Sequence, residues 1–371
     1  MKNRETAVLR FILIYILKEI IMVSKTTNNY QEQLSLQIQL KITQNLKLLP
    51  KFCTEFFIGI ENSKRPQTRL RYSYDLKPFF VYIHKYNPKW KNANIVDYPI
   101  ELLEDISVFE IEQYLSHVKS YIDENGKERT NGRAGVKSKL AAIKALYNYY
   151  YKHGIISKNT PLIIELPRIE EKNIIRLDDE HVAEIIENIE NGTYLTSNEF
   201  SWNQRFKERD YAVILLLLGT GIRVSECVGI DISDINFDQC YISIIRKGGN
   251  EDKVYFSDEV HDALRKYYNI RVITATKQTN EQAFFLSSRG TRLSIRSIQN
   301  LVHKYTKGIY EVSPHKLRTT FGTNLYVATK DIYLVSTALG HRNVETTRKH
   351  YADIPDIEKQ KVRNMLKIKK D

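Results

Sequence analysis

The chain has 371 residues, 42% of them hydrophobic and 11% aromatic, enough to bury cores in two ordinary domains. Fifty-six Lys and Arg against 44 Asp and Glu leave a net charge of +12, which favours a polyanionic partner, nucleic acid ahead of a membrane. The three cysteines (Cys53, Cys227, Cys240) are scattered without metal-ligand spacing, so no disulfide framework or zinc site is indicated and a reducing, cytoplasmic setting is expected.

Residues 1–46 read as an N-terminal extension, partly a frayed helix. AVLRFILIYILKEIIMV is apolar, but its longest uncharged stretch, Phe11 to Leu17, falls far short of the roughly 20 residues a membrane span needs. Arg10, Lys18 and Glu19 interrupt it, and no small-residue cleavage site follows. Two readings stay open: an amphipathic helix, or translated upstream sequence with Met22 as the working start.

Residues 47–158 read as a bundle of four helices. Leu49 to Ile60 is the first. Thr68 is a candidate N-cap for the second, where Tyr72, Leu76, Phe79, Phe80 and Ile83 recur at helical spacing around Pro78. The third spans about Ser107 to Tyr121 and ends in a polar loop, DENGKERTNGR. Val136 to Lys152 is the fourth, carrying Leu140, Ile143, Ala145, Leu146 and Tyr149. Basic residues gather at the second helix start (Lys64, Arg65, Arg69, Arg71) and around the fourth (Arg133, Lys137, Lys139, Lys144), sensible places for phosphate contacts. Residues 159–173, with Pro161 and Pro167, form a linker.

The remainder, 174–371, mixes helices with a small β element. LDDEHVAEIIENIE is a helix led by Asp178; 191–203 reads as a loop or insertion; Phe206 to Leu218 is a buried helix closed by Gly219 and Gly221. Tyr241–Arg246, the GGNED turn and Lys253–Phe256 form a hairpin.

Six residues here assemble a chemistry. In GTGIRVSE, Arg223 offers a planar fork that matches two phosphate oxygens and stays charged, with Glu226 three residues on to orient it or cap the following helix. In SPHKLR, Pro314 takes the first helical position and sets His315 and Arg318 on one face near a helix N-terminus, where the dipole favours an anion. Gly340 permits a sharp turn that can aim His341 inward. Tyr351 offers a phenol hydroxyl that positive neighbours could activate. Lys247, at the hairpin tip, could protonate a leaving oxygen as general acid, with Arg246 and Lys253 as rival donors.

GTGIRVSE, IIRKGGNED, SPHKLR, LGHRN and TTRKHY, in this order, closely resemble the motifs of the tyrosine recombinase (phage integrase) family, most of all its Xer-type single-protein enzymes. One departure is Thr319, where the family often has a histidine, and Tyr351 lies ten residues after His341 where nine is also common. The resemblance implies a mainly α fold with a small β-hairpin or sheet: an N-terminal four-helix core-binding domain and an α+β catalytic domain that close around double-stranded DNA. It implies a site-specific recombinase that needs no metal, ATP or other cofactor. Tyr351 would be the nucleophile, Arg223 and Arg318 the phosphate clamps, His315 and His341 the hydrogen-bonding and proton-handling groups, and Lys247 the acid.

The tail after Tyr351 keeps an apolar side (Ile354, Ile357, Val362, Met365, Leu366). In the family such a tail docks on a neighbour, implying a tetramer on DNA; packing on its own domain is the other reading. Two other functions stay open: a type IB topoisomerase or hairpin-forming resolvase using the same residues, and a non-catalytic DNA-binding protein on this fold.

Overall fold

A computed structural model describes residues 30–122, 126–165, 176–246, 249–274, 282–341 and 343–351. The chain divides into two compact units, Met1–Glu171 and Lys172–Asp371.

The first unit is a helical bundle: α1 (Tyr30–Leu46), α2 (Phe52–Gly59), α3 (Pro66–Tyr86), the single turn α4 (Leu102–Asp105), α5 (Val108–His117) and α6 (Arg133–Lys152). The last 17 residues of the supposed extension, Tyr30–Leu46, are a bundle helix; Ile38 and Ile42 enter the core, and α1 packs on α3. The apolar stretch at 8–23 lies outside the described residues.

α3 begins at Pro66 with Arg65 as N-cap, three residues before the expected cap Thr68, because proline at the first helical position costs no hydrogen bond. It runs through Pro78. That proline deprives the carbonyl of Tyr74 of its partner, and Tyr74 is exposed, so water can take the place of the missing donor. Ser107 and Glu110 cap α5 reciprocally, with Ser107 N donating to Glu110 Oε2 at 2.8 Å and Glu110 N to Ser107 Oγ at 3.3 Å.

α5 ends at His117, earlier than expected. Part of the polar stretch that follows pairs as an antiparallel ribbon, β1 (Ser120–Ile122) with β2 (Glu128–Thr130), in register Ser120↔Thr130 and Ile122↔Glu128. The core is apolar and aromatic: Phe56, Leu76, Phe79, Phe80, Tyr114, Leu140, Ile143, Leu146, Tyr147 and Tyr150.

The second unit comprises α7 (Asp179–Asn191), α8 (Ser197–Thr220), α9 (Val224–Gly229), the meander β3 (Ile235–Asn236), β4 (Tyr241–Ile245) and β5 (Glu251–Tyr255), then α10 (Asp258–Thr274), α11 (Ile295–Thr306), α12 (Pro314–Thr329), α13 (Ile332–Ala338) and α14 (Val344–Tyr351). Asp178 caps α7 by accepting from His181 N at 2.8 Å. The expected loop at 191–203 is mostly helix. Thr196 and Glu199 form a capping box that starts α8 early, and only 192–196 turns. α8 kinks at Phe206 and then buries Ala212 to Leu217. It ends at Gly221, whose left-handed φ of 60° and contact with Phe321 exclude a side chain.

The hairpin β4–β5 pairs as expected, Tyr241↔Tyr255 to Ile245↔Glu251. Among the described residues no helix is long and apolar enough to cross a membrane. The tail 352–371 lies outside the described residues, as does the linker from 166 to 175.

Candidate active site

Three turns of the second unit are tied together by guanidinium groups. Arg223 stands as N-cap of α9, directly after the glycine turn that ends α8. Its Nη1 donates to Glu226 Oε1 at 2.8 Å, and Glu226 Oε2 accepts from the backbone N of Arg223 at 2.8 Å. Glu226 therefore both orients the side chain and caps the helix. Arg223 Nη2 approaches the carbonyl of Gly340 at 3.4 Å, and the side chain is 27% exposed, so part of the fork stays open to solvent.

Arg318 is buried on the first turns of α12. Its Nη1 donates to the carbonyl of Gly221 at 2.5 Å, and Nη2 donates to the carbonyl of Leu339. One guanidinium thus staples the end of α8 to the end of α13. The local sequence explains the placement: Ser313 is N-cap, Pro314 opens the helix, and Thr319 and Thr320 bond back to the carbonyls of His315 and Lys316. His315, three residues before Arg318, is exposed at the helix start.

Gly340, at φ 58°, turns the chain from α13 toward α14. His341 follows, half-buried, with its Nδ1 at 2.8 Å from Thr347 Oγ1 on α14. α14 packs against both α12 and α13, with Thr347 fully buried. Tyr351 is the last residue of α14; its side chain lies outside the described residues, as does Lys247. The structure thus brings Arg223, Arg318 and the His341 turn together on three backbone carbonyls and one carboxylate.

Sequence reasoning missed two participants. Thr347 fixes the His341 ring, and its signal was only its place in TTRKHY. Arg246, read as a rival acid, is 9% exposed and ion-paired to Glu226 and Asp252, so it is bound inward rather than presented to a leaving group. Burial pushes the Cys227 thiol well up, with the Glu226 charge adding to it, so this cysteine beside the cluster stays protonated and unreactive. Among the described residues no cluster of His, Cys, Asp or Glu could hold a metal ion.

In the first unit the basic residues divide. Arg69 is buried against Glu61 at 2.7 Å, Lys139 lies 3.5 Å from Asp75, and Lys144 donates to the carbonyl of Ile164 at 2.6 Å. These three hold the bundle together. Arg65 and Arg133 are exposed, Lys137 is half-buried, and Arg71 is 66% exposed although its Nε donates to Ser138 Oγ at 2.6 Å and lies 3.7 Å from Asp75.

Residues 176–356 match the model of the phage integrase family. The chain is 31% identical over 313 residues to a tyrosine recombinase XerC of Caldanaerobacter subterraneus subsp. tengcongensis, covering 81% of this chain and 82% of that protein. It is 29% identical over 340 residues to a tyrosine recombinase XerS of Streptococcus mutans, covering 83% and 93%. Among solved structures, the XerH site-specific recombinase in a post-cleavage complex with a palindromic difH substrate shares the fold, with a TM-score of 0.61 at 19% identity over 96% of this chain and 95% of that one. The Tn1549 transposon integrase with circular-intermediate DNA aligns with a TM-score of 0.57 at 19% identity, covering 85% and 99%.

Proposed function

We propose residue roles for this chain, which belongs to the phage integrase family of tyrosine recombinases and is a site-specific DNA recombinase. Arg223 and Arg318 hold the non-bridging oxygens of the scissile phosphate and neutralise the charge that builds on them. His341, its ring fixed by Thr347, donates to the same phosphate, and His315 assists proton movement. Tyr351 attacks phosphorus: its proton passes to His315 as its oxygen forms a bond to P, the P–O5′ bond breaks, and Lys247 gives a proton to the departing 5′ oxygen. A 3′-phosphotyrosyl link and a free 5′-hydroxyl result. Attack on that link by the 5′-hydroxyl of a second strand restores a phosphodiester and releases the phenol. Bond energy stays in the ester, so nothing has to be hydrolysed to drive rejoining.

The observation that supports this reading is the joining of the Arg223, Arg318 and His341 turns through Glu226, Gly221, Leu339 and Gly340. Backbone carbonyls cannot move independently of the fold, so the cations are preorganised before DNA arrives. We further propose that double-stranded DNA is contacted in the first unit by Arg65, Arg71, Arg133 and Lys137, that the tail after Tyr351 docks on a neighbouring copy in a tetramer on DNA, and that the enzyme works in the cytoplasm.

The test is covalent capture from a pool of nicked duplexes with a randomised centre, followed by mapping of the attached peptide. Wild type is expected to yield an adduct at Tyr351 and to recover one target sequence. Tyr351→Phe should retain duplex binding and yield no adduct. An adduct mapped to another tyrosine, or one persisting in the Phe variant, would overturn the assignment.

A further inference from the structure

Arg246 closes the hairpin turn with its backbone and reaches into the cationic cluster with its side chain. Its N donates to the carbonyl of Asn250 at 2.8 Å, and its carbonyl accepts from Gly249 N at 3.0 Å. Its guanidinium has partners on three further elements. Nε pairs with Asp252 of β5 at 2.8 Å, Nη1 with Glu226 of α9 at 3.3 Å, and Nη2 donates to the carbonyl of Ala338 at the end of α13 at 2.9 Å. The stem also packs on Gly340, where an added Cβ would stand 2.7 Å from Nε and 2.9 Å from Cδ. So one buried side chain touches the hairpin, the carboxylate that orients Arg223, and the turn that carries His341.

We propose that Arg246 is a positioning residue for strand cleavage: it holds Glu226, and through it the Arg223 fork, in register with the His341 turn. The charge arrangement gives the reason. Glu226 is a buried carboxylate with one oxygen on Arg223 Nη1. Without a second cation it would be a lone counter-ion to Arg223, drawing the fork inward and cancelling its field at the phosphate. Arg246 takes up the other oxygen, so Glu226 is shared and Arg223 keeps positive potential for an incoming anion. Asp252, partly exposed, pairs Arg246 from the far side and keeps it seated.

This inference rests on Arg223 being a phosphate clamp, and its test separates the two. The probe is the duplex recovered by covalent capture, made once with an ordinary scissile phosphate and once with a methylphosphonate there. The methylphosphonate is neutral, so a cation that serves the non-bridging oxygens matters less to it. Single-turnover adduct formation is measured on both for wild type, Arg223→Ala, Arg246→Met and Arg246→Lys, alongside thermal unfolding and duplex binding.

Arg246→Met should slow adduct formation on the phosphate duplex about 100-fold, the scale of a misplaced reacting group, with a clearly smaller loss on the methylphosphonate. Arg246→Lys, which keeps the stem and charge but cannot span three partners, should show the same selectivity with a smaller loss. Equal losses on both duplexes in either variant, tracking the fall in unfolding temperature, would overturn the proposal and leave Arg246 a packing residue. If Arg223→Ala itself loses activity equally on both duplexes, the clamp reading falls first.

Discussion

The two units handle arginine in opposite ways. In the first, among the described residues, Arg69 is the buried one, paired with Glu61, while Arg65 and Arg71 stay at the surface over a core of aliphatic and aromatic side chains. In the second, Arg246, Arg271 and Arg318 are all buried, and each donates to backbone carbonyls (Ala338, Ala283, and Gly221 with Leu339), with Arg246 also paired to Glu226 and Asp252. A guanidinium is weakly hydrated for a cation and has donors in a rigid fork, so it can close several chain ends at once. The bundle rests on an apolar core, with Arg69, Lys139 and Lys144 tied down locally, and keeps Arg65, Arg71 and Arg133 at its surface. The catalytic unit uses charge as internal structure and so fixes where its cations point.

The largest test of that contrast is Arg318→Ala. Removing the donor proposed for the scissile phosphate should cut the rate of adduct formation by about 10²–10³-fold. It should also leave the carbonyls of Gly221 and Leu339 without their donors, at a cost of about 1–3 kcal/mol each if water does not enter. Rate and stability fall together, whereas an exposed clamp would lose rate alone. Single-turnover kinetics with denaturant unfolding separates the outcomes; unchanged stability would mean the staple is not structural.

The counterpart in the bundle is Leu76→Ala. Leu76 is fully buried among Phe79, Phe80 and their neighbours, so its truncation should cost about 2–5 kcal/mol. Unfolding of the first unit should shift to lower denaturant. Adduct formation at saturating DNA should change little below that transition, since no reacting group is touched.

How far the sequence alone reaches follows the same divide. Helical spacing placed Leu76, Phe79 and Ile83 in α3 and Leu140, Ile143 and Leu146 in α6, because apolar periodicity is a local property. Helix starts were harder. Thr196 with Glu199 was a readable capping box, yet the polar run around it suggested a loop; the helix starts at Pro66, whose fixed φ suits the first helical position, rather than after Thr68. The motifs around Arg223, Arg318 and His341 stand out in the sequence, and the structure joins their turns. The links themselves were invisible: Arg318 reaches Gly221 across 97 residues and Arg246 reaches Ala338 across 92, and neither distance leaves a trace in local pattern.

A smaller effect concerns pH. Burial, and then the nearby charge of Lys85, hold the His117 imidazole below its ordinary pKa, within a ring cluster of Tyr82, Tyr86 and Tyr121. A depressed histidine binds its proton more readily when unfolded. Its contribution to stability is therefore full above the unfolded pKa of about 6.5 and declines as pH falls through that value toward the lower folded one. His117→Phe should flatten this part of the acid limb in the first unit's unfolding midpoint. An unchanged slope between about pH 7 and pH 5 would show that the ring titrates alike in both states.

The smallest effect is also the most direct probe of the bundle's outward charge. Each lysine or arginine that neutralises a DNA phosphate releases counterions, adding about 0.9 to the slope of log affinity against log salt. Removing one such contact by Arg65→Gln should therefore lower that slope by about 1. Arg69→Gln, with the side chain buried against half-exposed Glu61, should leave the slope alone and instead destabilise the bundle, because the packed stem and its charge-assisted hydrogen bond are lost. Equal slopes for wild type and Arg65→Gln would remove Arg65 from the contact set. A slope change in Arg69→Gln would mean that the buried arginine swings out to meet DNA, and the distinction between the units' arginines would fail at that residue.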